Sequence, residues 1–228
     1  MPYDNIESEW RSLIEQWKET QSRLSHQLIV EPLHPPPRFV AGADAAFSAD
    51  KRTIYAAAVV YDRERRSIVD RAQAMQTAEV PYIPGFLSFR EGPAVLDALG
   101  KLRHEFGVIL FDGHGYAHPR RCGFALHLAV TLDRPGVGVA KSRLVGSYEP
   151  PAAESGSSTP LEDQGEEIGL VLRTRANVNP LFISVAHRVD LESARQLVLA
   201  CCTRYRLPEP TRQADAEVAK LKQIEDKL

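Results

Sequence analysis

The chain of 228 residues has few cysteines, no long apolar run and no excess of positive charge. Its three cysteines, Cys122, Cys201 and Cys202, match no zinc or redox spacing and fit a reducing compartment. No apolar run approaches the ~18 residues of a membrane span, and the polar N-terminus has no apolar signal-peptide region. A formal net charge of −2 argues against a bulk electrostatic coat on nucleic acid, yet it allows a local basic groove. We therefore expect a soluble cytoplasmic protein with no membrane partner.

The composition is that of a globular protein. Hydrophobic residues make up 43% and charged residues 25% of the chain, which argues against a disordered or fibrous protein. The chain has no internal repeat and no low-complexity tract, so we predict one domain over residues 1–228. It has an N-terminal helix and linker at residues 1–35 and a charged tail at residues 216–228. No exposed heptad or large apolar patch is evident, and we expect a monomer.

Three strand-like runs follow the linker. Phe39–Phe47 is apolar and rich in small residues, and Ile54–Tyr61 is mostly apolar. The turn-like residues 48–51 between them favour a hairpin. Ser67–Thr77 alternates less cleanly, as expected of a strand near the edge of a sheet. Together the three runs predict an antiparallel meander.

After these three strands, the sequence pattern predicts helices and strands in alternation. Apolar residues from Val95 to Phe106 predict a helix that Gly107 closes, and Val108–Phe111 predicts a strand buried on both faces. Phe124–Leu132 predicts a second helix and Val137–Val139 a short strand. Such alternation predicts right-handed crossovers onto a parallel part of the sheet.

The remaining segments complete the prediction of an α/β fold. Apolar residues from Ile6 to Leu28 recur at helical spacing, and residues 150–167 have the composition of a surface excursion. Leu181–Ala186 predicts a strand and Leu191–Thr203 a helix. The chain therefore predicts one mixed sheet, with three antiparallel strands followed by parallel βα units, flanked by helices.

Three acids stand at unusual positions. Asp44 lies within an apolar strand, Asp112 directly follows a buried strand, and Glu91 is placed at the start of a helix. Each alone is explained by a cap or a satisfied polar group. Together, carboxylates at the mouth of a sheet suit Mg²⁺ or Mn²⁺, which take oxygen ligands.

A histidine pair offers an alternative metal site. His114, His118 and Cys122 imitate a zinc pattern, but the intervening glycines and Pro119 disfavour the helix that such a pattern needs. Contact with a phosphate or a base is the preferred interpretation of the histidines.

Local positive charge and one rigid loop point to a nucleic acid. Arg120, Arg121, Lys141 and Arg143 lie near predicted loops, where a few cations suffice to follow phosphates. The apolar loop Pro81–Leu87 holds an aromatic residue between two prolines. It is either a buried plug or a wedge that enters a base stack.

Five motifs together resemble the endonuclease V family, the deoxyinosine 3′ endonucleases. The most specific is the twelve-residue segment Val80–Glu91. Four shorter segments follow in order, and residues 1–35 carry little of the resemblance. These segments are Phe111–Gly115, His118–Arg121, Gly138–Lys141 and Arg206–Arg212.

The resemblance implies an RNase H-like fold and a set of site residues. Asp44, Glu91 and Asp112 would be the metal ligands, Asp215 a further catalytic acid, and Lys141 the contact to the scissile phosphate or to water. The remaining roles are a DNA wedge at Pro81, Tyr82, Ile83 and Pro84, a base pocket at Tyr82, Gly85, Leu87, Gly113 and His118, and phosphate contacts at Arg90, Arg120, Arg121 and Arg143.

The activity that the resemblance implies is metal-dependent hydrolysis of DNA containing deoxyinosine, the product of adenine deamination. The cut falls at the second phosphodiester bond 3′ of the lesion and leaves 3′-hydroxyl and 5′-phosphate ends. Mg²⁺ is the expected cofactor, with Mn²⁺ as a substitute, and both one-metal and two-metal schemes stay open. The alternatives are an inosine-specific endoribonuclease acting on RNA and a damaged-DNA binding module without turnover. Without the resemblance, the residues also allow a general phosphodiesterase.

Overall fold

Three antiparallel strands form one end of the sheet in the computed structural model, which describes residues 7–225. They are β1 (Phe39–Phe47), β2 (Thr53–Asp62) and β3 (Ser67–Thr77). The bounds of β1 and β3 agree with the prediction, and β2 is longer by one residue at each end. β3 lies at the edge of the sheet, where its alternate side chains are exposed. The predicted meander is confirmed.

Two parallel strands continue the sheet beside β1. β4 (Val108–Phe111) runs parallel to β1, and β5 (Gly136–Ala140) runs parallel to β4. α3 (Phe124–Leu132) forms the crossover between β4 and β5. All four side chains of β4 are buried, because helices cover both faces of this part of the sheet. The predicted βα units are confirmed.

The other end of the sheet is antiparallel and corrects the prediction for residues 150–167. These residues contain β6 (Ser158–Asp163) and the start of β7 (Glu166–Leu172), and β7 pairs with β8 (Leu181–His187). The strand order across the sheet is β3-β2-β1-β4-β5-β8-β7-β6. Leu161 is the one fully buried residue of β6, so no row of apolar residues marks this strand in the sequence, and pairing with β7 makes it a strand.

The helix before β4 also differs from the prediction. α2 spans Leu87–Gly100, so it starts earlier than expected and ends before Gly107. Glu91 lies inside this helix and does not begin it. Gly92 and Pro93 obscured the helix in the sequence, because both residues normally weaken a helix interior.

Three further helices complete the described part of the chain. They are α1 (Glu7–Ser25), α4 (Leu191–Cys201) and α5 (Glu209–Glu225). α4 ends before the predicted Thr203, and α5 takes up most of the predicted charged tail. Residues 1–6, which include Ile6, and residues 226–228 lie outside the described part. Within residues 7–225, no helix is long and apolar enough to cross a membrane.

The helices pack on opposite faces of the sheet. α2 and α3 cover the face that carries Ala56 and Ile109. α4 packs on the opposite face against Leu110, and α5 packs there against Ala57. Successive strand residues point to opposite faces, so the position of an acid along its strand decides which helices it meets.

Candidate active site

Two aspartates lie side by side on neighbouring strands. Ala43 of β1 is paired with Phe111 of β4, so Asp44 and Asp112 follow at the same level of the sheet. Burial and the charge of Asp112 raise the pKa of Asp44 to about 8. The two carboxyl groups therefore share a poorly solvated site, in which two negative charges oppose each other.

Two further acids approach this pair from the helices. Glu91 on α2 is buried, and burial together with the charge of Asp112 raises its pKa to about 7, although neighbouring Arg90 lowers it. The charge of Asp215 on α5 contributes to the raised pKa of Asp44. Four acids that are distant in the sequence thus act on one another in the middle of the sheet, where β4 ends beside β1.

Lys141 supplies the positive charge of this cluster. Its Nζ lies 2.5 Å from Oδ2 of Asp112. Burial lowers the pKa of Lys141, but the hydrogen bond and charge of Asp112 and the charges of Asp44 and Asp215 raise it overall. The ammonium group is therefore held in its charged form next to the carboxylates.

The donor set of this cluster is made of carboxylate oxygens. Mg²⁺ and Mn²⁺ prefer such oxygens, and a cation would relieve the repulsion that raises the pKa of Asp44. Among residues 7–225, no three His, Cys, Asp or Glu side chains are grouped as ligands of a metal ion. Asp112 instead pairs with Lys141. The chemistry of the acids fits a hard cation, and their arrangement around Lys141 would need to adjust to hold it.

The histidine alternative is not assembled as a zinc site. Nε2 of His114 donates to the carbonyl oxygen of Ser142 at 3.0 Å. Nδ1 of His118 accepts from the backbone N–H of Arg120 at 3.2 Å, and Cys122 is fully buried. Each group has its own neighbours in the fold, as expected from the glycines that separate them.

A cavity of about 300 Å³ lies beside the acid cluster. Asp112 directly follows β4, and the next residue, Gly113, lines the cavity. Burial, followed by the charge of Arg120, lowers the pKa of His118 to about 3, so the imidazole in the cavity wall is neutral. All five residues of the predicted base pocket line this cavity: Tyr82, Gly85, Leu87, Gly113 and His118.

The loop after β4 is pressed against β8. A Cβ atom on Gly115 would lie 2.2 Å from the carbonyl oxygen of Val185, so only glycine fits there. The backbone N–H of Gly115 donates to the hydroxyl of buried Ser184 at 2.8 Å. These contacts fix the loop that joins the acid cluster to the cavity.

The predicted wedge loop has an exposed and a buried side. The side chain of Tyr82 is 56% exposed at the mouth of the cavity. Ile83 departs from the expectation of a wedge residue, because it is 4% exposed and packs with Trp17 and Phe86. Ile83 therefore anchors the loop while Tyr82 projects from it.

Two of the predicted phosphate contacts bind other parts of the protein. Nη2 of Arg120 donates to the carbonyl oxygen of Gly85 at 2.7 Å. Arg121 donates to Asp163 at 2.9 Å and to Glu166 at 2.8 Å. The guanidinium groups of these arginines hold loops in place, a role that the sequence did not predict.

The other two arginines differ from each other. Arg90 is 9% exposed, stacks on the ring of Phe47 and donates to the carbonyl oxygen of Lys51 at 2.9 Å. Arg143 is exposed at the rim of the cavity. Of the four arginines, Arg143 keeps the accessibility that a phosphate contact requires.

Sequence reasoning missed two residues that support the site. Gln21 of α1 is 1% exposed and contacts the cavity loops. It lies on the same helical stripe as Trp17 and Leu24, and a polar residue on an apolar stripe is a signal that could have identified it. Arg206, the first residue of the motif Arg206–Arg212, donates to the carbonyl oxygen of Lys141 at 2.9 Å.

Comparison with known proteins identifies the family. The family model described as Endonuclease V matches residues 22–216. The chain belongs to the endonuclease V family. Endonuclease V of Roseiflexus sp. (strain RS-1) is 48% identical over 212 residues, which cover 93% of this chain and 95% of the relative. Membership in the family makes the chain a nuclease, an enzyme that hydrolyses phosphodiester bonds.

Solved endonuclease V structures share the fold. That of Streptomyces avermitilis is 42% identical and superposes with a TM-score of 0.88, over 92% of this chain and 93% of that one. Endonuclease V of Ciona intestinalis, in complex with a 24mer DNA containing an inosine followed by a ribo-adenosine, is 26% identical. Its TM-score is 0.81, over 94% of this chain and 99% of that one. The predicted RNase H-like α/β fold is confirmed.

Proposed function

We propose that this member of the endonuclease V family is a DNA repair enzyme that recognises deoxyinosine. It hydrolyses the second phosphodiester bond 3′ of the lesion and leaves 3′-hydroxyl and 5′-phosphate ends. The observation that carries the proposal is the adjacency of two sites along one loop, because Asp112 belongs to the acid cluster and Gly113 lines the cavity. The inosine-containing DNA bound by the Ciona relative supports the same substrate.

The cavity suits a single neutral base turned out of the helix. Tyr82 projects at its mouth and would occupy the gap in the base stack. Unstacking a base requires a few kcal/mol, least where the base is mispaired, which itself favours a deaminated base. Neutral His118 and apolar Leu87 add no charge to the wall, as suits the uncharged edge of hypoxanthine.

The acid cluster is the proposed cleavage site. Asp44, Glu91 and Asp112 would hold Mg²⁺, with Mn²⁺ as a substitute, and Asp215 adds negative charge. When bound, the cation supplies Lewis-acid activation of water and stabilises the leaving oxygen. Lys141, kept charged by the acids, would contact the scissile phosphate or orient the water. The acids lie beyond the cavity wall, so the bond that is cut is displaced from the flipped nucleotide.

A nicking assay on matched substrates tests this function. The substrates are end-labelled DNA duplexes with and without one deoxyinosine, and a single-stranded RNA with one inosine, each in Mg²⁺, Mn²⁺ or EDTA. We expect one nick in the deoxyinosine duplex in either metal and none in EDTA. The product length should place the cut at the second bond 3′ of the lesion, and DNA ligase should reseal the nick.

Each of the other outcomes would indicate a different function for this protein. Equal cutting of both duplexes would favour a general phosphodiesterase, and cleavage of the RNA alone would favour an endoribonuclease. Tight binding to the deoxyinosine duplex without any product would favour a binding module. Undiminished cleavage in EDTA would contradict the assignment of the acids to a metal.

Arg143 and Arg121 form a matched pair for testing phosphate contacts. Replacing exposed Arg143 with alanine should reduce the slope of log K against log salt by about 0.9, the value for one lost contact. Arg121→Ala should leave this slope unchanged and lower the melting temperature, because Asp163 and Glu166 lose their partner. Duplex binding in EDTA at several salt concentrations measures both slopes. An unchanged slope in Arg143→Ala would remove it from the DNA contacts.

A further inference from the structure

Two walls of the cavity come from separate loops, and residues 142–144 after β5 complete its lining. One wall includes Gly85 of the loop before α2, and the other is formed by the loop after β4, which ends at Gly123. Within the described residues, no backbone hydrogen bond joins residues 80–86 to residues 113–123. The hydrogen bonds that hold these two walls together are therefore made by side chains.

Gln21 of α1 joins these loops. Its Nε2 donates to the carbonyl oxygen of Gly85 at 2.9 Å and to the carbonyl oxygen of Cys122 at 3.0 Å. Its Oε1 accepts from Nε of Arg120 at 2.5 Å. The guanidinium of Arg120 in turn donates to the carbonyl oxygen of Gly85 at 2.7 Å. One amide thus bridges both walls, and Arg120 of the second wall adds a direct bond to the first.

The Gln21 amide has no N–H donor left for a ligand, and its Oε1 keeps one of two lone pairs. Both hydrogens of Nε2 are used, and Oε1 already accepts a charged donor. The side chain is 1% exposed, so an unsatisfied polar atom there would be expensive. Gln21 is consequently suited to position the loops and not to read a base directly.

Gly85 is shaped to receive this bridge. Its φ of +81° lies in the left-handed region, which turns its carbonyl oxygen towards Gln21 and Arg120. A Cβ atom there would lie 2.8 Å from Nη2 of Arg120. Trp17, one helical turn before Gln21, packs against Phe86 and secures the same loop. α1 therefore supports the loop through an apolar contact and a polar one.

We propose that Gln21 is a positioning residue that sets the width of the cavity and thereby the discrimination between a deaminated base and a normal one. This inference rests on the proposed function. Binding sites lose selectivity when their supporting contacts loosen by fractions of an ångström. α1, which lies largely outside the family motifs, thus belongs to the recognition machinery.

Two substitutions of similar size separate positioning from packing. Gln21→Met keeps the volume and removes all three hydrogen bonds. Gln21→Glu keeps the size and an acceptor for Arg120, but it replaces the donors by oxygens that repel the carbonyl groups of Gly85 and Cys122. The matched control is Gln16→Met, which changes an exposed glutamine on the same helix.

The measurement is the ratio of dissociation constants for fluorescent duplexes with and without deoxyinosine, in EDTA. We expect this ratio to fall about tenfold in Gln21→Met and in Gln21→Glu, which corresponds to ~1.4 kcal/mol. The control should keep the wild-type ratio. Both variants should melt below wild type, because each loses buried hydrogen bonds. A smaller folded fraction weakens apparent binding to both duplexes equally, so the ratio remains informative for either variant.

The outcomes distinguish the positioning role from the proposed function. A wild-type protein without preference for deoxyinosine would overturn the proposed function and this inference with it. A wild-type preference that persists in both Gln21 variants would overturn the positioning role alone. Equal weakening on both duplexes would also overturn it, because a merely destabilised protein loses active molecules for every substrate.

Discussion

Replacing Asp44 or Asp112 with asparagine is expected to reduce the rate of cleavage of deoxyinosine DNA by more than about 100-fold. Loss of a residue that merely supports a metal ligand typically costs 10–100-fold, and loss of a ligand should cost more. Asparagine keeps the shape of the side chain but brings no negative charge to a cation. Single-turnover nicking in Mg²⁺ measures the effect. The control is Asp97→Asn, a partly exposed acid on α2 that pairs with Lys101.

The Asp44→Asn variant should lose activity without losing stability. The carboxyl group of Asp44 has a pKa of about 8 in the folded protein, raised by burial and by Asp112 from an ordinary 3.8. Between these values the folded state binds more protons than the unfolded state, so the contribution of Asp44 to stability is lost as the pH rises through 8. Asparagine does not ionise. We expect the Asp44→Asn variant to have a higher melting temperature than wild type at pH 8 in EDTA. The difference in melting temperature should shrink towards pH 4. A lower melting temperature at pH 8 would attribute the inactivity to misfolding.

Replacing Gly42 with alanine is the second change with a large expected effect. A Cβ atom there would lie 2.2 Å from the carbonyl carbon and 2.3 Å from the carbonyl oxygen of Pro210, in the first turn of α5. Because backbone cannot rotate away as a side chain can, α5 must move off β1. Overpacking of this kind costs about 3 kcal/mol, which lowers the melting temperature by roughly 6–12 °C in a protein of this size.

The same change should also reduce cleavage. α5 carries Asp215, and β1 carries Asp44 two residues beyond Gly42. Moving α5 separates these acids. Gly100→Ala is the matched control, because a Cβ atom there meets nothing within 4 Å and alanine favours a helix. Thermal unfolding and nicking of both variants test the idea. Equal melting temperatures would show that β1 and α5 tolerate the extra methyl group.

The aspartates were accessible to sequence reasoning because their surroundings are local. Asp44 interrupts an apolar strand, Asp112 follows one, and a buried carboxylate is expensive without a partner. Their adjacency then follows from the parallel pairing of β1 with β4. Glu91 was harder to place, because Gly92 and Pro93 hide the helix that contains it.

The arginines show where sequence reasoning stops. Arg120, Arg121 and Arg143 look alike in the sequence, and only their partners separate them. Arg121 is neutralised by two acids from the β6–β7 hairpin, a structure that the composition of residues 150–167 did not indicate. An arginine that is free to meet a phosphate differs from one that holds a loop only in the groups around it. Those surrounding groups are set by the fold.

The sequence alone predicted the family, the antiparallel meander with its parallel βα units, the four acids of the cluster and five residues of the cavity. These features could be predicted because hydrophobic periodicity depends on residues close together in the sequence, and because motif residues are recognised by their order along the chain. The tertiary structure decided which side chains join the cavity loops and which are free to meet DNA. Gln21 lies 64 residues before Gly85 and 101 before Cys122, and no local pattern connects them. Their contact exists because α1 packs across the loops, and packing between distant segments is settled only when the whole chain folds.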